Sequence, residues 1–96
     1  MSKDSVLNIL RTHKATLVKL YGVTELALFG PIARDQATDG SDIGVVVGFD
    51  SPATSERYHG VQFYLEDLLG YPVDLVTDKA LRAEIRPYVE REMVDV

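Results

Sequence analysis

The chain has 96 residues, of which 46% are hydrophobic and 26% charged, a length and balance that fit one globular domain with a modest core and argue against disorder. Its formal net charge of −5 opposes autonomous binding to a nucleic-acid backbone; it suits a basic protein partner, and it serves solubility equally well. The absence of cysteine excludes disulfides and thiolate metal sites, while the lack of a membrane-length apolar run or a signal-peptide core makes a cytoplasmic protein with no membrane association the expectation.

Residues Ser2 to Tyr21 read as a helix, because Val6, Leu10, His13, Leu17 and Leu20 recur at steps of three and four. Asp4 or Ser5 is expected to cap its start, and Gly22 to end it in a left-handed conformation. His13 lies on the stripe with no second metal-type residue spaced to join it, so it reads as a core-edge histidine rather than a ligand. Val23 to Phe29 is an apolar run and the first strand, with Glu25 near its start. Gly30 ends it, and Pro31 suits a turn or a first helical turn. Ile32 to Gln36 is expected to be one short helical turn, and Ala37 to Ser41 a loop of turn-forming residues.

Asp42 to Phe49 is the second strand, and its Val45-Val46-Val47 centre implies burial on both faces. Asp50-Ser51-Pro52 breaks it. Thr54 or Ser55 is expected to cap a helix that runs to Leu69, with Tyr58, Val61, Leu65 and Leu68 inward and His59 solvated; Gly70 and Pro72 stop it. Val73 to Val76 is a third strand, apolar except for Asp74. Thr77 or Asp78 then caps a helical region through Met93, which Pro87 should kink or divide. Val94 to Val96 adds an edge strand or frays.

Two carboxylates sit at strand positions where a small α/β domain places its chemistry. Asp42 stands at the mouth of the second strand, where capping a turn is the plain alternative. Asp74 lies inside Val-Asp-Leu-Val, where a carboxylate is costly to bury alone. It therefore faces a cleft or pairs with a cation. Arg34 is the candidate cation, with a plain surface role as the alternative.

The arrangement Gly30-Pro31, ten residues Ile32 to Ser41, then Asp42-Ile43-Gly44, with Asp74 on a later strand, resembles the signature of the DNA polymerase β-like nucleotidyltransferases. That signature is Gly-Ser, ten residues, Asp-x-Asp and a third Asp. Ala33-Arg34, Ser41-Asp42 and Val73-Asp74-Leu75-Val76 also fit it, and the likeness covers nearly the whole chain. The short length resembles the minimal nucleotidyltransferase (MNT) branch, whose members often act as antitoxins to HEPN-type ribonucleases. The resemblance implies an α/β (α+β) fold, a small mixed sheet of three or four strands with helices mainly on one face. It also implies Mg²⁺ and a nucleoside triphosphate as cofactors. On that basis Asp42 and Asp74 are the candidate catalytic and metal-binding residues, and Gly30, Pro31, Arg34 and Ser41 the nucleotide-binding ones.

The chain departs from the pattern at two places. In a strand, side chains at i and i+2 share one face, about 7 Å apart. Asp-x-Asp thus gives two arms of a metal cup, and here Gly44 removes one. Pro31 has neither the hydroxyl nor the N–H that serine offers a phosphate. A side chain returned at residue 44 should cost little if that position opens to a cleft, and much if it is packed. The expected function is an MNT antitoxin-type partner of a HEPN-like toxin with impaired or absent transfer. One alternative is an active enzyme moving AMP or another nucleotide from an NTP to a protein acceptor. A second is a nucleotide-binding regulatory module without turnover. Self-association stays open, and Tyr88 to Val96 is a candidate partner surface.

Overall fold

The computed structural model describes residues 2–81 and 86–96. Helix α1 spans Lys3–Tyr21. Its cap is Ser2, whose side chain accepts the Ser5 N–H at 3.1 Å, and not Asp4 or Ser5 as expected. Asp4 sits instead in the first turn, where its charge meets the positive end of the helix. Gly22 closes the helix at φ 70°, donating its N–H to the Val18 carbonyl at 3.0 Å. Val6, Leu7, Leu10 and Leu17 are buried, but Leu20 is 59% exposed. At 3.6 residues per turn the inward position after Leu17 is Tyr21, which packs against the core in its place.

Strand β1 (Val23–Phe29) is followed by a 3₁₀ turn at Gly30–Ile32, then β2 (Ile43–Phe49), α2 (Ser55–Leu69) and β3 (Val73–Thr77). A second 3₁₀ turn (Asp78–Ala80), α3 (Arg86–Glu92) and β4 (Val94–Asp95) complete the described elements. The four-stranded sheet has the order β3-β2-β1-β4. β1 is antiparallel to β2 and β4, while β2 and β3 are parallel, joined through the α2 crossover. The mixed sheet and its fourth strand match the α+β expectation.

Several boundaries move. The short turn expected at Ile32 to Gln36 begins earlier, because Gly30 takes φ 74° and Pro31 comes next with its ring-fixed φ. β2 starts at Ile43, leaving Asp42 just outside it, and β3 continues to Thr77. Thr54 is the cap of α2, accepting the Arg57 N–H at 3.1 Å, and Gly70 ends that helix at φ 74°. Leu69 rather than Leu68 is its last buried residue. Thr77 caps only the short second 3₁₀ turn, through the Ala80 N–H at 3.2 Å. The expected helix across 82–85 lies outside the described residues; Pro87 is the second residue of α3 as described.

One face of the sheet is covered by α1 and α2. Leu26, Leu28, Ile43, Val45, Val47, Val73 and Leu75 meet Val6, Leu10, Leu17, Val61 and Leu65 in one core. On the other face Ala27, Val46 and Leu81 form a smaller cluster, joined by Phe29, Val76, Val89 and Met93. This second cover explains why Ile43 through Gly48 are all buried, as the valine run implies. His13 bridges the two long helices, with Nδ1 3.0 Å from the Tyr64 hydroxyl, so it is the core-edge residue expected. No helix among the described residues is long and apolar enough to cross a membrane.

Candidate functional site

Register on the second face sets the candidate site. Phe29 of β1 stands opposite Gly44 of β2, and Gly44 stands beside Asp74 of β3. The next row inward is Ala27, Val46 and Val76, the apolar row covered by Leu81, Val89 and Met93. The row Phe29–Gly44–Asp74 therefore lies at the end of the sheet where β1 runs into the Gly30-Pro31 turn and where Asp42 leads into β2. Asp42 and Asp74 are both exposed. Asp42 immediately precedes β2, at the same end of the sheet as Gly44 and Asp74.

The middle of the row is filled. A Cβ on Gly44 would lie 2.6 Å from the Phe29 carbonyl oxygen and 3.0 Å from the edge of the Phe29 ring. β1 and β2 thus approach more closely here than a side chain permits, and the phenylalanine ring covers the glycine. An aromatic residue across from a strand glycine replaces the packing that the glycine lacks. Position 44 is packed, so the low-cost case expected for an open cleft does not hold.

The turn after β1 is closed on itself. The N–H of Ala33 reaches the Gly30 carbonyl at 3.0 Å, that of Asp35 the Ile32 carbonyl at 3.1 Å, and that of Gln36 the Pro31 carbonyl at 2.8 Å. The Arg34 N–H is shared between the Gly30 and Pro31 carbonyls. These donors are engaged within the turn, and Pro31 contributes none. Open space remains at Gly30, where an added Cβ would meet nothing within 4 Å. Asp35, at φ 57°, ties the turn to the start of α1 by accepting the Lys3 N–H at 3.0 Å. Ser41 closes the following loop: its hydroxyl accepts the Thr38 N–H at 3.1 Å, and its own N–H reaches the Thr38 carbonyl at 2.9 Å.

Arg34 does not pair with Asp74. Its guanidinium donates to Glu92 at the end of α3 at 2.7 Å, and to the Gln36 side chain at 3.1 Å. None of the described ion pairs involves Asp42 or Asp74. Among the described residues no group of three or more His, Cys, Asp or Glu is placed to hold a metal ion. The donor set fits an oxygen-ligated Mg²⁺ only in part: two carboxylates can share one ion with water and phosphate, and residue 44, a packed glycine, offers no third.

Phe29 and Glu92 are the two residues that sequence reading missed. Phe29 carries a usable signal, since a strand ending in Phe-Gly and a second strand with glycine at its second position can pair aromatic to glycine once the hairpin register is fixed. Glu92 carries none, because it lies 58 positions from Arg34. A separate cavity of about 210 Å³, lined by Phe49, Ser51, Pro52, Ala53, Thr77, Asp78 and Lys79, sits at the opposite ends of β2 and β3 and includes none of the candidate residues.

The fold is that of a minimal nucleotidyltransferase. It superposes with a TM-score of 0.84 and 29% identity on a solved structure provisionally described as one, over all of this chain and 97% of the other. Residues 10–96 match the family model described as a nucleotidyltransferase domain, and the chain belongs to that family. It is 34% identical over 96 residues to the protein adenylyltransferase MntA of Thermococcus cleftensis, covering 100% of this chain and 97% of that one. A chain in the structure of a tri-AMPylated Shewanella oneidensis HEPN toxin in complex with MNT antitoxin also matches, with a TM-score of 0.59 and 17% identity over 97% of this chain and 66% of that one. At that identity the likeness concerns the fold.

Proposed function

We propose that this chain is an MNT antitoxin-type subunit that neutralises a HEPN-like partner by binding it, and that its transfer of nucleotide is impaired or absent. The observation that carries the second half is the Phe29–Gly44–Asp74 row. Transfer of a nucleotidyl group relies on positioning and on charge stabilisation by bound metal. Asp42 and Asp74 supply two of the family's three carboxylate arms, and the place from which a third would start is obstructed by the Phe29 carbonyl oxygen, with the Phe29 ring beside it. The turn adds to the loss, since Pro31 lacks the hydroxyl and N–H of the family's serine. The first half draws support from the relatives: a protein adenylyltransferase named MntA and a fold match within a HEPN–MNT complex.

The exposed Asp42 and Asp74 and the open space at Gly30 favour one secondary property, weak docking of a single Mg-nucleotide without turnover. The experiment separates binding from catalysis. The chain and its D42N/D74N variant are each co-expressed with a HEPN-like partner, and complex formation and the partner's ribonuclease activity are measured with and without ATP. Both forms should bind and neutralise equally, with no need for ATP. A D42N/D74N variant that still forms the complex but no longer neutralises would show that protection depends on transfer, and would overturn the reading.

A further inference from the structure

The Arg34–Glu92 pair lies beside the candidate nucleotide site and joins two distant parts of the chain. Arg34 belongs to the turn after β1; Glu92 is the last residue of α3. A carboxylate at a helix C-terminus meets the negative end of the helix dipole, so Glu92 gains nothing there from its own helix. Its position is fixed by the two residues after it. Met93 packs on the cluster of Ala27, Val46 and Leu81, and Val94 pairs with Leu28 of β1. The carboxylate is thereby held against the guanidinium at 2.7 Å, where it presents the same acceptor chemistry as a phosphate group.

We propose that Glu92 is a built-in competitor for the anionic part of a nucleotide: a triphosphate that reaches Arg34 must first displace this carboxylate. This rests on the reading of Arg34 as a nucleotide-side residue. Both partners are about two-fifths exposed, at 41% and 39%, so the pair is a weak lock that solvent and salt screen. Glu92 also repels an arriving phosphate by its charge. The coupling is reciprocal. An anion bound at Arg34 releases Glu92 and loosens the C-terminal segment from β1, and a partner that draws α3 away frees Arg34.

The test is calorimetric titration of the native chain and the E92Q, R34A and R34A/E92Q variants with Mg-AMP-PNP, with thermal melts confirming that each folds. E92Q should bind about three- to tenfold more tightly than the native chain at low salt, and the gain should shrink at about 1 M salt. R34A should bind more weakly, and R34A/E92Q should regain little. An E92Q variant that binds no tighter than the native chain overturns the proposal, and if R34A is weakened in the same experiment the assignment of Arg34 survives. A gain from E92Q that persists in full without Arg34 also overturns it, as a general charge effect. R34A binding as well as the native chain removes Arg34 from the site and the proposal with it.

Discussion

At Gly44 two effects oppose each other. A glycine inside a strand adds backbone entropy to the unfolded chain, so alanine should ordinarily stabilise. Here the new Cβ would meet the Phe29 carbonyl oxygen at 2.6 Å, and a backbone atom cannot rotate away. Sterics should win: Gly44→Ala is expected to destabilise the fold by about 1–3 kcal/mol, read as a lower midpoint in chemical denaturation at unchanged slope. Gly44→Asp should cost more, because it adds a charged group to the same obstructed position beside the Phe29 ring, and should restore no transfer. A Gly44→Asp variant with native stability would mean that the strands separate easily and that the site can be rebuilt by one change. Asp74 is the opposite case. It is exposed, so Asp74→Asn should leave stability within about 0.5 kcal/mol while weakening any Mg-nucleotide binding. A large loss of stability in Asp74→Asn would mark the carboxylate as structural instead.

Among the elements, β3 is an outer strand whose backbone would otherwise face solvent as an open edge. α2 covers it with side chains four residues apart. Glu66 accepts the Val73 N–H at 2.9 Å, Gln62 reaches the Val73 carbonyl at 3.4 Å, and the Tyr58 hydroxyl donates to the Leu75 carbonyl. Capping the outward groups removes a template for strand addition by another chain. The variant Y58F/Q62A/E66A is therefore expected to lose about 1–3 kcal/mol and to self-associate, checked by denaturation and light scattering. A variant that stays monomeric with native stability would show the contacts to be incidental.

The contrast between those two places also shows what the sequence could convey. Helix ends at Gly22 and Gly70 were legible because a left-handed φ is a local demand met best by glycine. The β1 span and the double burial of β2 were legible from apolar runs. Leu20 faces outward because a stripe counted in threes and fours drifts from the true period, leaving Tyr21 inward. Gly44 stands out as a departure from the Asp-x-Asp pattern, but whether its space is open depends on the hairpin register, which no local pattern sets. The partner of Arg34 depended on the path of the C-terminal segment, which is set by the packing of Met93 and Val94 on the sheet.

For the molecule as a whole, the C-terminal segment is an integral part of the sheet rather than a free tail. β4 pairs with Ala27 and Leu28, the Val96 N–H reaches the Leu26 carbonyl at 3.0 Å, and Lys14 of α1 donates to the Val96 carbonyl at 3.3 Å. As a candidate partner surface it is reduced to its outward residues, above all Tyr88, which is 65% exposed with Arg91 stacked on its ring. In the proposed reading the nucleotidyltransferase fold serves as a binding platform whose chemistry has lapsed. The most direct test of that claim is the intact mass of a HEPN-like partner purified after co-expression with this chain, then incubated with it and Mg-ATP. The account predicts a stable complex in which the partner's mass is unchanged. A partner whose mass increases by one or more AMP groups, dependent on Asp42 and Asp74, would contradict it and show that two carboxylates suffice for transfer.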